Sequence, residues 1–247
     1  MKLLLINPNT TQSMTELMLA EARKIVSPQT ELTGVTGRFG GRYVASRATY
    51  AIAGHAALEA YAEHGRSADV VVLACFGDPA LLALKDVAAQ PVVGMAEASC
   101  LDAAALGGQF AIVTGGERWG PMLREFVGLI GLSDRLATIE TVAPTGADIA
   151  RDPERSLDLL AQACCRCVER DGASSVIVGG AGLAGLAARI ADRVPVPLID
   201  SLAACVRMAE QIARSQSPTT AASARNRPDP SPTTGLSFGL TRLLSEP

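Results

Sequence analysis

The chain predicts an α/β protein of two pseudo-symmetric halves, each a parallel sheet of βα units, facing a shared central cleft. Three observations lead there. Apolar runs of strand length alternate with stretches of helical periodicity from end to end. Several of these runs, such as Val71-Val72-Leu73-Ala74, are continuous rather than alternating, as expected for strands covered on both faces. The order also repeats: Cys75 and Gly180 each follow the third strand of a half and lie 105 residues apart, and Ile6 and Val113, in the two first strands, lie 107 apart.

In chain order, the first four strands are expected over Lys2–Ile6, Thr30–Val35, Asp69–Cys75 and Pro91–Gly94. The second four are expected over Gln109–Thr114, Ala137–Val142, Ser174–Gly179 and Val196–Ile199. Helices are placed between and after them, over Thr11–Val26, Ala48–His64, Pro79–Ala88, Ala96–Leu106, Glu117–Ile130, Pro153–Asp171, Leu183–Arg193 and Ser201–Arg214. Start and stop signals support several of these helices. Asp78-Pro79 and Asp152-Pro153 read as N-cap and first helical residue, Thr10 or Thr11 as a cap of the first helix, and Gly65 and Gly172 as helix stops. Residues 1–96 then form the first half, joined by the helix at 201–214, and residues 97–200 form the second. Residues 215–247 are a tail rich in Ser, Pro and Thr, read as a mobile linker up to Thr234 with an apolar end, Gly235–Leu244, able to dock on the body.

Bulk properties exclude several function classes. Over 247 residues, 48% are hydrophobic and 19% charged, as in a water-soluble α/β protein. A net charge of −3 and only 4% aromatic residues leave no broad basic or base-stacking surface, so no nucleic-acid partner is expected. The run Leu3–Ile6 ends at Asn7-Pro8 and is too short for a membrane span or a signal segment. A cytoplasmic location with reduced cysteines follows as the expectation.

In sheets of this kind ligands bind beyond the carboxyl ends of the strands. Two facing halves bring Asn7–Thr11, Cys75–Asp78, Thr114–Gly116 and Gly180–Gly182 around one cleft. Cys75 is the candidate acid/base group, with a helix N-terminus expected beside it to lower its pKa. The alternative for this residue is a buried structural cysteine. Asn7, Pro8, Asn9, Phe76, Gly77, Asp78, Thr114, Gly115, Gly116, Gly180, Ala181 and Gly182 are candidate substrate contacts through amides, hydroxyls and free backbone N–H groups. Gly180–Gly185 also matches G-x-G-x-x-G, with Asp200 20 residues on, which admits a dinucleotide-binding reading beside the blander one of a tight turn lining a small-molecule cleft. Cys164-Cys165-Arg166-Cys167 is not read as a metal site. Cys164 and Cys167 continue an apolar helix stripe, and the two histidines, His55 and His64, lie on another helix. Glu97 and Asp200-Ser201 read as helix-capping residues.

Together these segments resemble the aspartate/glutamate/hydantoin racemase superfamily, most closely its hydantoin and allantoin racemase branch. Leu5–Thr11, Ala74–Pro79, Gly94–Ala98, Phe110–Thr114 and Val178–Gly182 carry the resemblance, which spans residues 1–210. It implies two pseudo-symmetric α/β halves, no metal or organic cofactor, a small-molecule substrate and association that extends in some members to homo-oligomers. It also implies two cysteines flanking the substrate, one removing and one returning a proton. Cys75 matches the first, and Gly180 stands where the second is expected. Tyr43 stands near where the hydantoin branch tends to place a small polar contact. A racemase or epimerase of hydantoins, ureides or amino-acid derivatives is the leading expectation. A single-cysteine decarboxylase of the same superfamily, a binding protein without turnover and a dinucleotide-binding protein are the alternatives.

Overall fold

The computed structural model describes residues 1–142, 152–215 and 232–245. Among the described residues, eight short strands form two four-stranded sheets. The first holds β1 (Lys2–Asn7), β2 (Glu31–Thr36), β3 (Val70–Leu73) and β4 (Val92–Gly94) in the order β2-β1-β3-β4. The second holds β5 (Phe110–Gly115), β6 (Leu136–Val142), β7 (Ser175–Gly179) and β8 (Leu198–Asp200) in the order β6-β5-β7-β8. Every pairing is parallel, so the two sheets share one topology.

Helices complete the crossovers that parallel strands require. They are α1 (Gln12–Arg23), α2 (Arg47–His64), α3 (Leu81–Val87), α4 (Met95–Ala105), α5 (Trp119–Leu129), α6 (Pro153–Glu169), α7 (Leu186–Ile190) and α8 (Ser201–Ser215). A last helix, α9 (Phe238–Ser245), follows the residues 216–231 that fall outside the described chain, where most of the expected linker lies. It seats Leu240 and Leu243 in the main core against α2, as its apolar pattern allows.

The second sheet divides its strands cleanly, because successive side chains point to opposite faces. Phe110, Ile112, Ile177 and Ile199 join the large core shared with β1, β3, β4, α4 and α8. Ala111, Val113, Val176 and Val178 form a separate core with Leu160, Ala163, Cys164 and Cys167 of α6 and with α7. The cysteines of α6 that mimic a metal cluster in sequence are thus packing groups, with Cys164 and Cys167 fully buried.

Three local expectations are corrected. The helix expected at Pro79 starts only at Leu81, behind a left-handed Ala80, and Asp78 itself has φ +53. Asp78 caps a different helix: its Oδ1 and Oδ2 accept the N–H groups of Ala96 and Glu97 at 2.9 and 2.7 Å, at the start of α4. Thr11 does occupy the N-cap position of α1, but its hydroxyl donates to the carbonyl of Arg42 at 2.6 Å instead of capping. The helix expected over Leu183–Arg193 is a 3-10 turn (Ala181–Leu183), the five-residue α7 and a second 3-10 turn. By contrast, Asp152-Pro153 opens α6 as read, with the Asp152 carboxylate accepting from the Arg155 N–H at 3.3 Å.

Candidate active site

The loops after β1, β3, β5 and β7 converge on one cavity of about 650 Å³. Strand register fixes their equivalence. Leu3 lies opposite Val70 in the first sheet, as Phe110 lies opposite Ser175 in the second, so two parallel frames carry Cys75 and Gly180 to matching places past β3 and β7. Of the candidate residues, Asn9, Cys75, Phe76, Thr114, Gly115, Gly116, Gly180, Ala181 and Gly182 line the cavity. Asn7, Pro8, Gly77 and Asp78 do not line it and stand behind those that do.

Asn7 shows what standing behind means. It is fully buried at the end of β1, and its Nδ2 reaches Asn9 Oδ1 at 3.1 Å, Thr15 Oγ1 at 2.9 Å and the Thr11 carbonyl at 3.3 Å. Its Oδ1 accepts from the Asn9 N–H at 3.2 Å. Asn9 Oδ1 also accepts from the Thr11 N–H at 2.8 Å. With Asn9 Oδ1 engaged in this way, its Nδ2 remains as a donor for the cavity. The N–H groups of Phe76, Ala181 and Gly182 have no acceptor among the described residues and add further donors. The Gly180 N–H is already spent on Ser201 Oγ at 3.2 Å.

Cys75 is 8% exposed and is the one thiol among the described residues on the cavity wall. The expected lowering of its pKa does not occur. Burial first, and the Asp78 carboxylate second, push the thiol up to about 12. The physical reason is that α3 starts too late and is too short to set a positive end against the sulfur, while an acidic side chain lies close by. Asp78 is in turn pushed up to about 7 by burial, against the two amide bonds from α4.

Two aromatic side chains cross between the halves to build the site. The Phe76 ring packs on Gly179, and the Trp119 ring packs on Gly77, where any side chain would collide with the ring. Trp119 Nε1 donates to the Val44 carbonyl at 3.1 Å, holding the loop that places Tyr43, Val44 and Ala45 over the cavity. Tyr50 donates to the carbonyls of Gly77 at 2.8 Å and Asp78 at 3.3 Å, bracing the Cys75 turn from the other side. Met14, Glu117, Arg118, Thr141 and Leu183 complete the wall. Tyr50 and the wall residues Met14, Val44, Ala45, Glu117, Arg118, Trp119 and Thr141 escape sequence reasoning as site residues because their placement depends on loops meeting across the cleft. The available signal was the Gly-rich, aromatic stretch Arg38-Phe39-Gly40-Gly41-Arg42-Tyr43 between β2 and α2.

Gly180 has φ +135 and ψ 145, a backbone region essentially reserved for glycine. A Cβ built there would meet only Leu183 Cδ1 at 3.3 Å and Thr114 Oγ1 at 3.7 Å. The dinucleotide reading of this segment loses its support. Only a 3-10 turn and the five-residue α7 follow the glycines, in place of a long helix, and Asp200 is committed to the N–H groups of Gly185 at 2.7 Å and of Leu202 and Ala203 at 3.0 Å each.

The sequence matches the family described as Asp/Glu/Hydantoin racemase over residues 3–209. It is 34% identical over 213 residues to a hydantoin racemase of Pseudomonas sp. (strain NS671), covering 86% of each chain. It is 32% identical over 230 residues to a hydantoin racemase of Paenarthrobacter aurescens, covering 92% of this chain and 98% of that one. The solved allantoin racemase from Klebsiella pneumoniae is similar with a TM-score of 0.88 at 28% identity, over 97% of this chain and 98% of that one. With two parallel sheets of one topology, a cavity between their strand ends and these relatives, the chain belongs to the Asp/Glu/hydantoin racemase family of isomerases.

Proposed function

We propose that the chain is a cofactor-independent racemase or epimerase acting at an acidic C–H next to carbonyls, with hydantoins and related ureides as its leading substrates. The observation that carries this reading is Cys75, a lone thiol on a cavity wall that also presents Asn9 Nδ2 and free backbone N–H groups. In this reading the Cys75 thiolate removes the proton from the carbon. The electron pair moves to the neighbouring carbonyl oxygen, and the resulting enolate is met by Asn9 Nδ2 and the N–H groups of Phe76, Ala181 and Gly182. The high pKa of the thiol keeps the thiolate scarce but makes it a strong base toward the C–H, and leaves most of the site in the thiol form. Asn7 and Tyr50 hold the first site loops without touching substrate.

The glycine backbone at Gly180 favours a second reading, in which Cys75 serves one face only. A decarboxylation would leave an enolate that the thiol protonates to a single enantiomer.

The test is proton NMR in deuterium oxide with hydantoins, allantoin, amino acids and aryl malonates, comparing the native chain with Cys75→Ala. The racemase reading expects loss of the Cα–H signal together with loss of optical rotation, both reduced about 10²–10⁴-fold in Cys75→Ala. Exchange with retained configuration, or carbon dioxide release from the malonates, selects the one-faced reading. Full activity in Cys75→Ala removes the thiol from the mechanism.

A further inference from the structure

If Cys75 serves one face of the substrate carbon, the opposite face needs its own proton source, and Gly180 has no side chain to supply it. We propose that Thr114 Oγ1 and the open space beside Gly180 form a water site that delivers the second proton, in the place a second thiol would take. The proposal rests on the racemase reading above.

Three observations carry it. Thr114, the last residue but one of β5, lies on the cavity wall and is only 4% exposed, yet its hydroxyl has no hydrogen-bond partner among the described residues. Its oxygen stays open to the cavity, where a water can take up its unused bonding capacity. The hydroxyl is aimed at the missing side chain: it lies 3.7 Å from where a Cβ on Gly180 would sit. Apart from Leu183 Cδ1, no other atom beyond the chain neighbours is within 4 Å of that point. The matching residue of the first half behaves in the opposite way. By strand register Asn7 of β1 matches Thr114 of β5, and its amide is consumed by Asn9, Thr11 and Thr15. The half with the thiol therefore ties its strand-end polar group inward, and the half without one leaves it facing the substrate.

The proton balance closes without a further reagent. The Cys75 thiolate takes the proton from carbon on its face. The enolate carbon takes a proton from the water on Thr114, leaving hydroxide, and that hydroxide is neutralised through solvent by the proton now on Cys75. Thr114 acts here as a positioning residue, since the proton comes from the water and not from its own oxygen, whose pKa is far too high for a base.

The experiment reads the ratio of racemisation to Cα–H exchange in deuterium oxide, polarimetry and NMR being taken on the same sample. It compares the native chain, Thr114→Val and Thr114→Ser on whichever substrate the native chain exchanges. Thr114→Val is expected to lower this ratio at least tenfold, whatever happens to the individual rates, and Thr114→Ser to restore it. A merely structural or binding role for Thr114 would lower both rates together, so an unchanged ratio in Thr114→Val overturns the proposal, as does a ratio that Thr114→Ser fails to recover. Absence of any Cys75-dependent exchange in the native chain overturns the underlying reading, an outcome distinct from an unchanged ratio.

Discussion

The two halves of this molecule share sheet order and register, yet they meet the cavity with different chemistry. Past β3 stands a buried thiol in a turn braced by Tyr50, Trp119 and Asp78. Past β7 stands a glycine whose backbone angles reject a side chain. Each half also uses an aspartate to tie its third-strand turn to the helix after its fourth strand, but from opposite ends. Asp78 lies in the turn and reaches forward to α4, whereas Asp200 ends β8 just before α8 and reaches back to Gly185. A repeated fold therefore conserves the connection while exchanging the residues that make it. The consequence is a site with one thiol face and one open face.

The pH dependence gives the largest handle on that asymmetry. Cys75 has a thiol pKa raised to about 12, so its reactive thiolate fraction grows as pH rises and keeps growing until the pH nears that value. The Cys75-dependent part of exchange should climb about tenfold per unit, or roughly 100-fold between pH 7.5 and 9.5. The background is the rate with Cys75→Ala. A profile that levels off near pH 8.5 would mean an ordinary thiol and would remove burial and Asp78 as its controlling influences.

Stability offers a sharper contrast. Gly180→Ala adds one carbon to open space, while Cys75→Ala deletes one buried sulfur. On packing alone the second should be the costlier. Because Gly180 sits at φ +135, Gly180→Ala is expected to cost about 1–3 kcal/mol in urea unfolding. Cys75→Ala is expected to cost about 1 kcal/mol. A neutral Gly180→Ala would show that the β7 turn can adopt an ordinary backbone, and the two halves would then be interchangeable at this position.

The smallest effect concerns the contacts that join the halves. Trp119→Phe keeps a ring over Gly77 but removes the bond to the Val44 carbonyl, and should cost about 0.5–1.5 kcal/mol. A loss well above that range would make Trp119 a main support of the cleft rather than a clasp on its roof loop.

The inner strands could be read from the chain because a strand buried on both faces has to be apolar along its length, while the half-buried outer strands β2 and β6 were legible from their place in the βα alternation. Val70–Leu73 and Phe110–Val113 are fully buried runs of that kind. The convergence of the four strand-end loops was equally legible, since a parallel sheet places all its carboxyl ends on one side. The local chemistry was less so. Asp78-Pro79 has the form of a helix start, and a reading confined to neighbours assigns the carboxylate there. The folded chain instead offers it two N–H groups 18 and 19 residues away. The same limit hid Tyr50, Trp119 and Val44, whose contacts with the thiol turn exist only once the cleft is assembled.

What the sequence by itself determined is the paired α/β architecture, the cleft at its strand ends and the unequal thiol count, since each follows from periodicity, repeat spacing and residue identity. Tertiary structure alone decided how Cys75 ionises, the backbone angles that favour glycine at position 180, and that Asn7 is tied inward while Thr114 faces the cavity. Those properties depend on burial, backbone angle and distances between side chains, which a string of residue types does not carry and which exist only once the chain has folded.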